Sequence, residues 1–412
     1  MPTEDDMSVN ERRKYLKRMK ERYVVAKRAE RGCLLSEMEQ VTGMHRKSLT
    51  RLMQAGSLER KKRTTPRPCS YGLEVERVIV RVWESRDYIC AERLTPSLLE
   101  MAQHLARFEP LGLTAQVEEQ LATISRATVA RILRKYRSRR VRLPQKGAER
   151  ANQVTKGVPM GRIPWDIGEP GHFEVDLVYH SGESTAGIYG HTIQLIDVKT
   201  GWSERVAVMG RGQAAMEGGF HRIVERVPFA ILELHPDNGS EFFNQHLVRY
   251  WKEKVTGVRL SRSRPYQKND NRMVEQKNDT LVRQYVGQLR LDAPEQVAAL
   301  DALYEQMWLY YNMFQPVLHL CEKTMVEDKV VRKWDKAKTP YERLLASSVL
   351  SSEQQAWLQQ LYEHTNPFQL RKAIYRQLDA LWEMATALQA VQREGRRLLR
   401  GGAPPLSSLL PG

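Results

Sequence analysis

Four cysteines are scattered through 412 residues, at Cys33, Cys69, Cys90 and Cys321. They form no C-x-x-C pair, which excludes a zinc module of cysteine type and a disulfide framework. The ten histidines are equally dispersed and make no paired metal spacing. No apolar run approaches the roughly 18 residues that a membrane span requires, and the N-terminus has no apolar h-region. The chain therefore reads as a reduced, cytoplasmic protein. Negative charge is also scarce: 49 acidic residues stand against 65 basic ones, a formal net charge of +16. Hydrophobic residues at 41% are enough for globular folding, and the length predicts two to four domains. A positive excess of this size points to a polyanionic partner, through long-range attraction and release of condensed counterions.

The first segment, 1–58, reads as three helices. Ser8 and Glu11 make a capping box for a helix over 8–31 that Gly32 would stop. Ser36 and Glu39 make a second box for a short helix ending at Gly43, and a third helix covers about 45–54. Helix, glycine-containing turn and short basic helix is the helix-turn-helix pattern. His45, Arg46, Lys47, Ser48 and Arg51 would face phosphates or base edges, with Leu49, Leu52 and Met53 inward. A plain three-helix bundle with a solvated basic face is the competing reading. Residues 59–71 form a basic, proline-punctuated linker, and 72–142 a second helical unit of the same kind. Its last helix is predicted to start after Ser125. From there Arg126, Arg131, Arg134, Lys135, Arg137, Arg139, Arg140 and Arg142 follow with no acidic residue among them. Residues 143–170 are rich in proline and glycine and read as an extended linker.

From 171 the periodicity changes to strands, at 172–180, 189–198, 202–208, 229–235 and 257–261. Helices are predicted at 212–227 and 241–254, and a long one at 272–289. Three strands in hairpin order followed by alternating helix and strand predict a mixed, five-stranded sheet flanked by helices. The region 291–400 is mainly helical, with a small basic strand segment near 329–338 and a helix opened by Asn366 and Pro367. Residues 401–412 read as a disordered tail.

Three carboxylates stand out in this basic chain. Asp176 sits mid-strand in the apolar run Phe173-Glu174-Val175-Asp176-Leu177-Val178, a costly place for a charge without compensation. Asp237 follows a strand and precedes a helix, at the strand end where open sheets place ligands. Glu275 lies in the first turn of a helix after a polar loop. Each suits a lip of a divalent-metal site between carboxylates and phosphate. Glu174, Asp197, Glu241, Asp270 and Asp279 read as structural neighbours. Trp202 reads as strand packing, with base stacking as the alternative.

The motifs FEVDLVYH, Thr200-Gly201-Trp202, HPDNGSEF and RPYQKNDNRMVEQKND resemble the catalytic core of the DDE transposase and integrase superfamily. That superfamily includes retroviral integrases and bacterial insertion-sequence transposases. The separations, 61 positions from Asp176 to Asp237 and 38 from Asp237 to Glu275, are similar to the family's. The resemblance is firm over 171–290 and implies an RNase H-like fold there, between all-α helix-turn-helix N-terminal domains and a helical C-terminal region. It implies that Asp176, Asp237 and Glu275 are catalytic and hold two Mg²⁺ or Mn²⁺ ions. The activity it implies is cleavage of a mobile element's 3′ ends and their transfer to target DNA. Arg272, Lys277, Asn278 and Arg283 would be further DNA contacts. DNA, a homodimer or higher oligomer on it, and an ATPase helper that selects targets are the partners to expect, with a bacterial, nucleoid-associated location. The alternatives are an RNase H-fold nuclease that never joins ends, and a transposase-derived DNA-binding regulator.

Overall fold

The computed structural model describes residues 7–58, 70–136, 160–161, 163–164, 166–236, 257–263, 271–326 and 329–401. The expected helix over 241–254 lies outside them, as do residues 143–159, 162 and 165 of the linker expected over 143–170 and residues 402–412 of the tail expected over 401–412. The chain forms two units, Met1–Ser70 and Tyr71–Gly412.

The first unit holds α1 (Val9–Val25), α2 (Arg28–Thr42) and α3 (Arg46–Gln54). The Ser8–Glu11 box is formed in both directions, at 2.8 and 3.3 Å. The helix expected over 8–31 is broken at Ala26, however. Ala26 turns extended and buries itself in the unit's core, and Arg31 donates to the Tyr23 and Val24 carbonyls that the helix end leaves open. The second helix thus starts early, at Arg28. Gly32 lies inside it, and Ser36 bonds back to the Gly32 carbonyl at 3.2 Å instead of capping anything. Gly43, at φ 64°, ends it in the left-handed conformation. Leu16, Met19, Leu34, Met38, Leu49 and Met53 fill the core.

The second unit begins with α4 (Leu73–Ser85), α5 (Ala91–Leu94), α6 (Leu98–Ala106), α7 (Ala115–Thr123) and α8 (Arg126–Tyr136). Ser125 caps the last of these, its hydroxyl accepting from Thr128 N at 3.2 Å. The segment 72–142 was expected to stand as a domain of its own. Its described part instead shares one hydrophobic cluster with the sheet and the C-terminal helices, through Phe314, Tyr341, Leu344 and Phe368. Polar bonds stitch the same seam: Tyr310 OH to Ser85 O at 2.7 Å, and His104 Nε2 with Thr365 O at 2.9 Å.

The main sheet contains β2 (His172–Tyr179), β3 (Gly190–Asp197), β4 (Ser203–Met209), β5 (Glu233–Pro236) and β6 (Arg259–Leu260). Its order is β4-β3-β2-β5-β6, with β2, β3 and β4 antiparallel and β2, β5 and β6 parallel. This mixed five-stranded sheet with helices about it is compatible with an RNase H-like core. A short pair, β1 (Met160–Gly161) with β7 (Arg262–Ser263), runs parallel. The fourth strand starts later than the expected 229, because the Gly171 carbonyl takes the Leu232 and Glu233 N–H groups together and sets the ladder there.

Helix α9 (Gln213–Arg226) covers the face that carries Ile193 and Val208. It packs so closely that a Cβ at Gly219 would fall 2.5 Å from the Ile193 side chain. The predicted helix over 272–289 is three pieces: α10 (Arg272–Lys277), a π-helical segment Asn278–Arg283, and α11 (Gln284–Val286), ended by Gly287 at φ 69°. Helix α12 (Pro294–Phe314) runs along β4. Asn312 exchanges two hydrogen bonds with Ser203 N and O, at 2.9 and 3.0 Å, and Asp301 takes Ala207 N at 2.8 Å. These side chains cover an edge strand whose open backbone would otherwise template further pairing. A hairpin, β8 (Leu320–Val326) and β9 (Lys329–Trp334), precedes α13 (Pro340–Ala346), α14 (Ser352–His364) and α15 (Pro367–Gly401). Among the described residues no helix is long and apolar enough to cross a membrane.

Candidate active site

The centre of β2 carries Asp176 on the same strand face as Glu174, two residues earlier. Glu174 is 2% exposed, and its Oε2 accepts from Met273 N at 2.7 Å and Val274 N at 2.9 Å. Those are unsatisfied first-turn N–H groups of α10, so a strand carboxylate caps the helix that carries Glu275. One turn further on, Asn278 Nδ2 donates to Asp176 Oδ2 at 2.5 Å, while Leu177 N donates to Oδ1 at 2.8 Å. Glu275 and Asn278 are three apart and share a helix face. The strand and helix are thus tied at two points, on either side of Glu275, which is exposed.

Asp237 lies outside the described residues. The last described residue before it, Pro236, pairs with Val175, the neighbour of Asp176. Just behind this point Glu233 is held by His172 at 2.8 Å, by the Ser261 hydroxyl and by Arg259. Burial pushes its carboxyl up, but these three hydrogen bonds outweigh it and bring the pKa down to about 2. His235, fully buried, bonds Ser261 Oγ at 2.7 Å. Among the described residues no three His, Cys, Asp or Glu side chains gather as a metal cluster. Of the three expected carboxylates, Asp176 and Glu275 lie within the described residues.

The predicted DNA-contact residues are placed differently from one another. Lys47, Ser48 and Arg51 are exposed on α3. Arg46 lies across α2, half-buried, with its guanidinium on the Ser36 hydroxyl at 2.9 Å and the Gly32 carbonyl at 3.0 Å. His45 caps α3, its Nδ1 accepting from Lys47 N at 3.2 Å. Arg131 and Arg134 are exposed on α8; Arg126 is exposed and 3.8 Å from Glu92, and Lys135 pairs with buried Glu76 at 2.5 Å. Arg139 and Arg140 lie outside the described residues. Arg272, Lys277 and Arg283 are half-buried around the Glu275 helix, with Lys277 Nζ 5.0 Å from the Tyr311 ring centroid. Asn278 is engaged with Asp176. Trp202 is fully buried in strand packing, its indole N–H on Glu204 at 2.8 Å. Asp197 caps the hairpin, taking Gly171 N, Thr200 N and the Thr200 hydroxyl at 2.6–2.8 Å.

Sequence reasoning did not single out Gln194 or Arg205, which lie in the same row of the sheet as Asp176. Asp176 pairs with Gln194, and Gln194 with Arg205. The signal that flagged Asp176, a polar residue within an apolar run, is present at Gln194, whereas Arg205 follows Ser203 and Glu204 and lacks it.

One curated relative covers most of the chain. Uncharacterized protein y4rM of Sinorhizobium fredii is 34% identical over 335 residues, 78% of this chain and 92% of that protein. The chain belongs to the y4rM family. No family model matches it. Among solved structures, the catalytic core domain of BIV integrase aligns at 15% identity with a TM-score of 0.29, covering 43% of this chain and 95% of that one.

Proposed function

We propose that this y4rM-family chain is a DNA transposase or integrase. In this reading its core cleaves the 3′ ends of a mobile element and joins them to target DNA, with Asp176, Asp237 and Glu275 as the catalytic carboxylates. The observation that carries the reading is the double tether between strand and helix. Glu174 holds the start of the Glu275 helix, and Asn278 holds Asp176, so two carboxylates far apart in sequence are kept on one flank of the sheet. A basic protein keeps such a pair near its working surface when the negative charge has a cation to hold.

The donor chemistry fits Mg²⁺ or Mn²⁺, since carboxylate oxygens are hard ligands and two such residues come from rigid elements. Asp176, Asp237 and Glu275 would hold the ions. When bound, these supply Lewis-acid activation of the attacking oxygen and charge stabilisation of the leaving one in an in-line displacement. The chain's own part is positioning. Asn278 orients the Asp176 carboxylate, Glu174 fixes the register of the helix against the strand, and half-buried Arg272 and Lys277 offer positive charge for a phosphate beside Glu275. Lys47, Ser48 and Arg51 on α3, and Arg126, Arg131 and Arg134 on α8, are the exposed groups proposed to meet the element ends, in helix-turn-helix fashion. Holding two ends together implies a dimer or higher assembly on DNA.

The test is to incubate purified protein, Mg²⁺, a pre-cut oligonucleotide from the DNA flanking the gene, and plasmid. Joined product is expected, and Asp176→Asn and Glu275→Gln should each lower it by at least about 10³-fold. Hydrolysis without joining would make the protein a nuclease. Unchanged joining in both variants would remove the carboxylates from the mechanism.

A further inference from the structure

The next two strands of the sheet beyond β2, first β3 and then β4, each place one long polar side chain on the Asp176 face. Gln194 of β3 stands opposite Asp176, and Arg205 of β4 stands opposite Gln194. Both are 0% exposed. The Arg205 guanidinium carbon lies 5.7 and 5.8 Å from the ring centroids of Tyr304 and Tyr311, which are seven apart on α12 and share a face. Lys277 sits over the same Tyr311 ring, and its chain neighbour Asn278 bonds Asp176. The contacts therefore close a circuit: Asp176, Gln194, Arg205, Tyr311, the Lys277–Asn278 pair, and Asp176 again.

The polar atoms on this circuit are unusual. Arg205 Nε, Nη1 and Nη2, both polar atoms of Gln194, Tyr311 Oη and Asn278 Oδ1 are buried and have no hydrogen-bond partner among the described residues. Buried polar groups in folded proteins are paired with protein or with water, because the unpaired state carries the full desolvation penalty. Seven such atoms on one circuit, mixing donors and acceptors, provide what buried water needs, two to four polar partners per molecule. The Arg205 charge persists, since burial lowers its pKa only to about 10.

We propose that Arg205, Gln194, Tyr311 and Asn278 hold a cluster of buried waters, through which Arg205 acts as a positioning residue for Asp176. An asparagine amide can present either end to a carboxylate, and only Nδ2 is a donor. Donors on the Oδ1 side decide the matter. Water polarised by the guanidinium donates to Asn278 Oδ1, locks the amide with Nδ2 on Asp176 Oδ2, and strengthens that bond. The inference rests on the catalytic reading of Asp176.

The experiment is a double-mutant cycle on the full chain, using Arg205→Met, Asn278→Leu and the pair. It reads joining rate and Mn²⁺ affinity by calorimetry, with Asp176→Asn alongside. Arg205→Met is expected to lower both by about tenfold, as loss of an outer partner does. In the Asn278→Leu background it should do almost nothing further. Arg205→Lys should restore part of the rate. If Arg205→Met folds poorly, Tyr311→Phe, which removes one hydroxyl, should show a smaller effect of the same sign and the same dependence on Asn278. A crystal structure that resolves water should place ordered waters between Arg205 and Asn278 Oδ1. Effects that simply multiply, or a dry circuit, would overturn the inference while Asp176→Asn remains inactive. An active Asp176→Asn would instead sink the catalytic reading itself.

Discussion

Glu233 shows how a single side chain is prepared behind the candidate site. It sits where β2 and β5 meet, pairs in register with His172, and takes hydrogen bonds from His172, Ser261 and Arg259. Its pKa falls from an ordinary 4.5 to about 2 in the folded chain. The unfolded form therefore binds protons more readily. The resulting stability is fully present above about pH 4.5 and is lost as pH falls toward 2. The full shift corresponds to about 3 kcal/mol, and the exposure of Arg259 on the solvent side discounts that to about 2 kcal/mol. Glu233→Gln should thus lower the unfolding free energy at pH 7 by roughly that amount, with the gap to wild type narrowing at pH 3. Urea titrations at both pH values check it, and a gap that stays constant would show that the charge is not what matters. Residue type alone gives little of this. Glu233 reads as one more acidic residue in a half-apolar strand, and only the ladder brings His172, 61 positions away, against it.

At the scale of elements, much of the sheet was legible. The runs at 172–180, 189–198 and 202–208 become three antiparallel strands because their apolar residues outlast any helical periodicity and glycine-containing turns separate them. The helix of Glu275 was legible only in part. Nothing local in Asn278–Arg283 announces a π-helical segment, since the extra residue per turn is imposed by Asn278 reaching Asp176 and by Leu281 and Val282 packing inward. The break at Ala26 was equally hidden, because no proline or glycine marks it. Glu174 is the residue on which this scale turns. If it holds α10 on the sheet, Glu174→Ala removes the acceptor of the buried Val274 N–H and the part-buried Met273 N–H and should cost roughly 2–4 kcal/mol. Joining should fall by more than tenfold in the fraction that stays folded. Glu174→Gln keeps an acceptor oxygen and should retain much of both. Hydrogen exchange at Met273 and Val274 reports the capping directly, and protection unchanged in Glu174→Ala would separate the helix from the strand.

At the scale of the whole molecule, the seam between the helices of 71–136 and the rest of the second unit could not be read in advance. Its contacts join residues about two hundred positions apart or more. Asp87, at φ 54°, is the centre of one such contact. Its carboxylate takes Arg371 Nε at 2.9 Å and the hydroxyls of Tyr285 and Tyr375 at 2.9 and 3.0 Å. Arg371 is 12% exposed, so losing its counter-charge leaves a largely desolvated cation. Asp87→Asn is the informative change, because asparagine tolerates the left-handed backbone and keeps one acceptor oxygen. The small core of Met1–Ser70 should unfold first in denaturant, and Tyr71–Gly412 as a later, cooperative transition. The substitution should move the later transition down by about 2–3 kcal/mol and leave the earlier one in place. Tryptophan fluorescence follows the later step selectively, since all the described tryptophans lie beyond residue 70. A wild-type midpoint for that step would show the clasp to be incidental. A new third transition would show the helices of 71–136 to be a separate cooperative domain. The expected outcome, one shifted transition, means that any strain a ligand places on α8 is felt by the same packed body that holds Asp176 and Glu275.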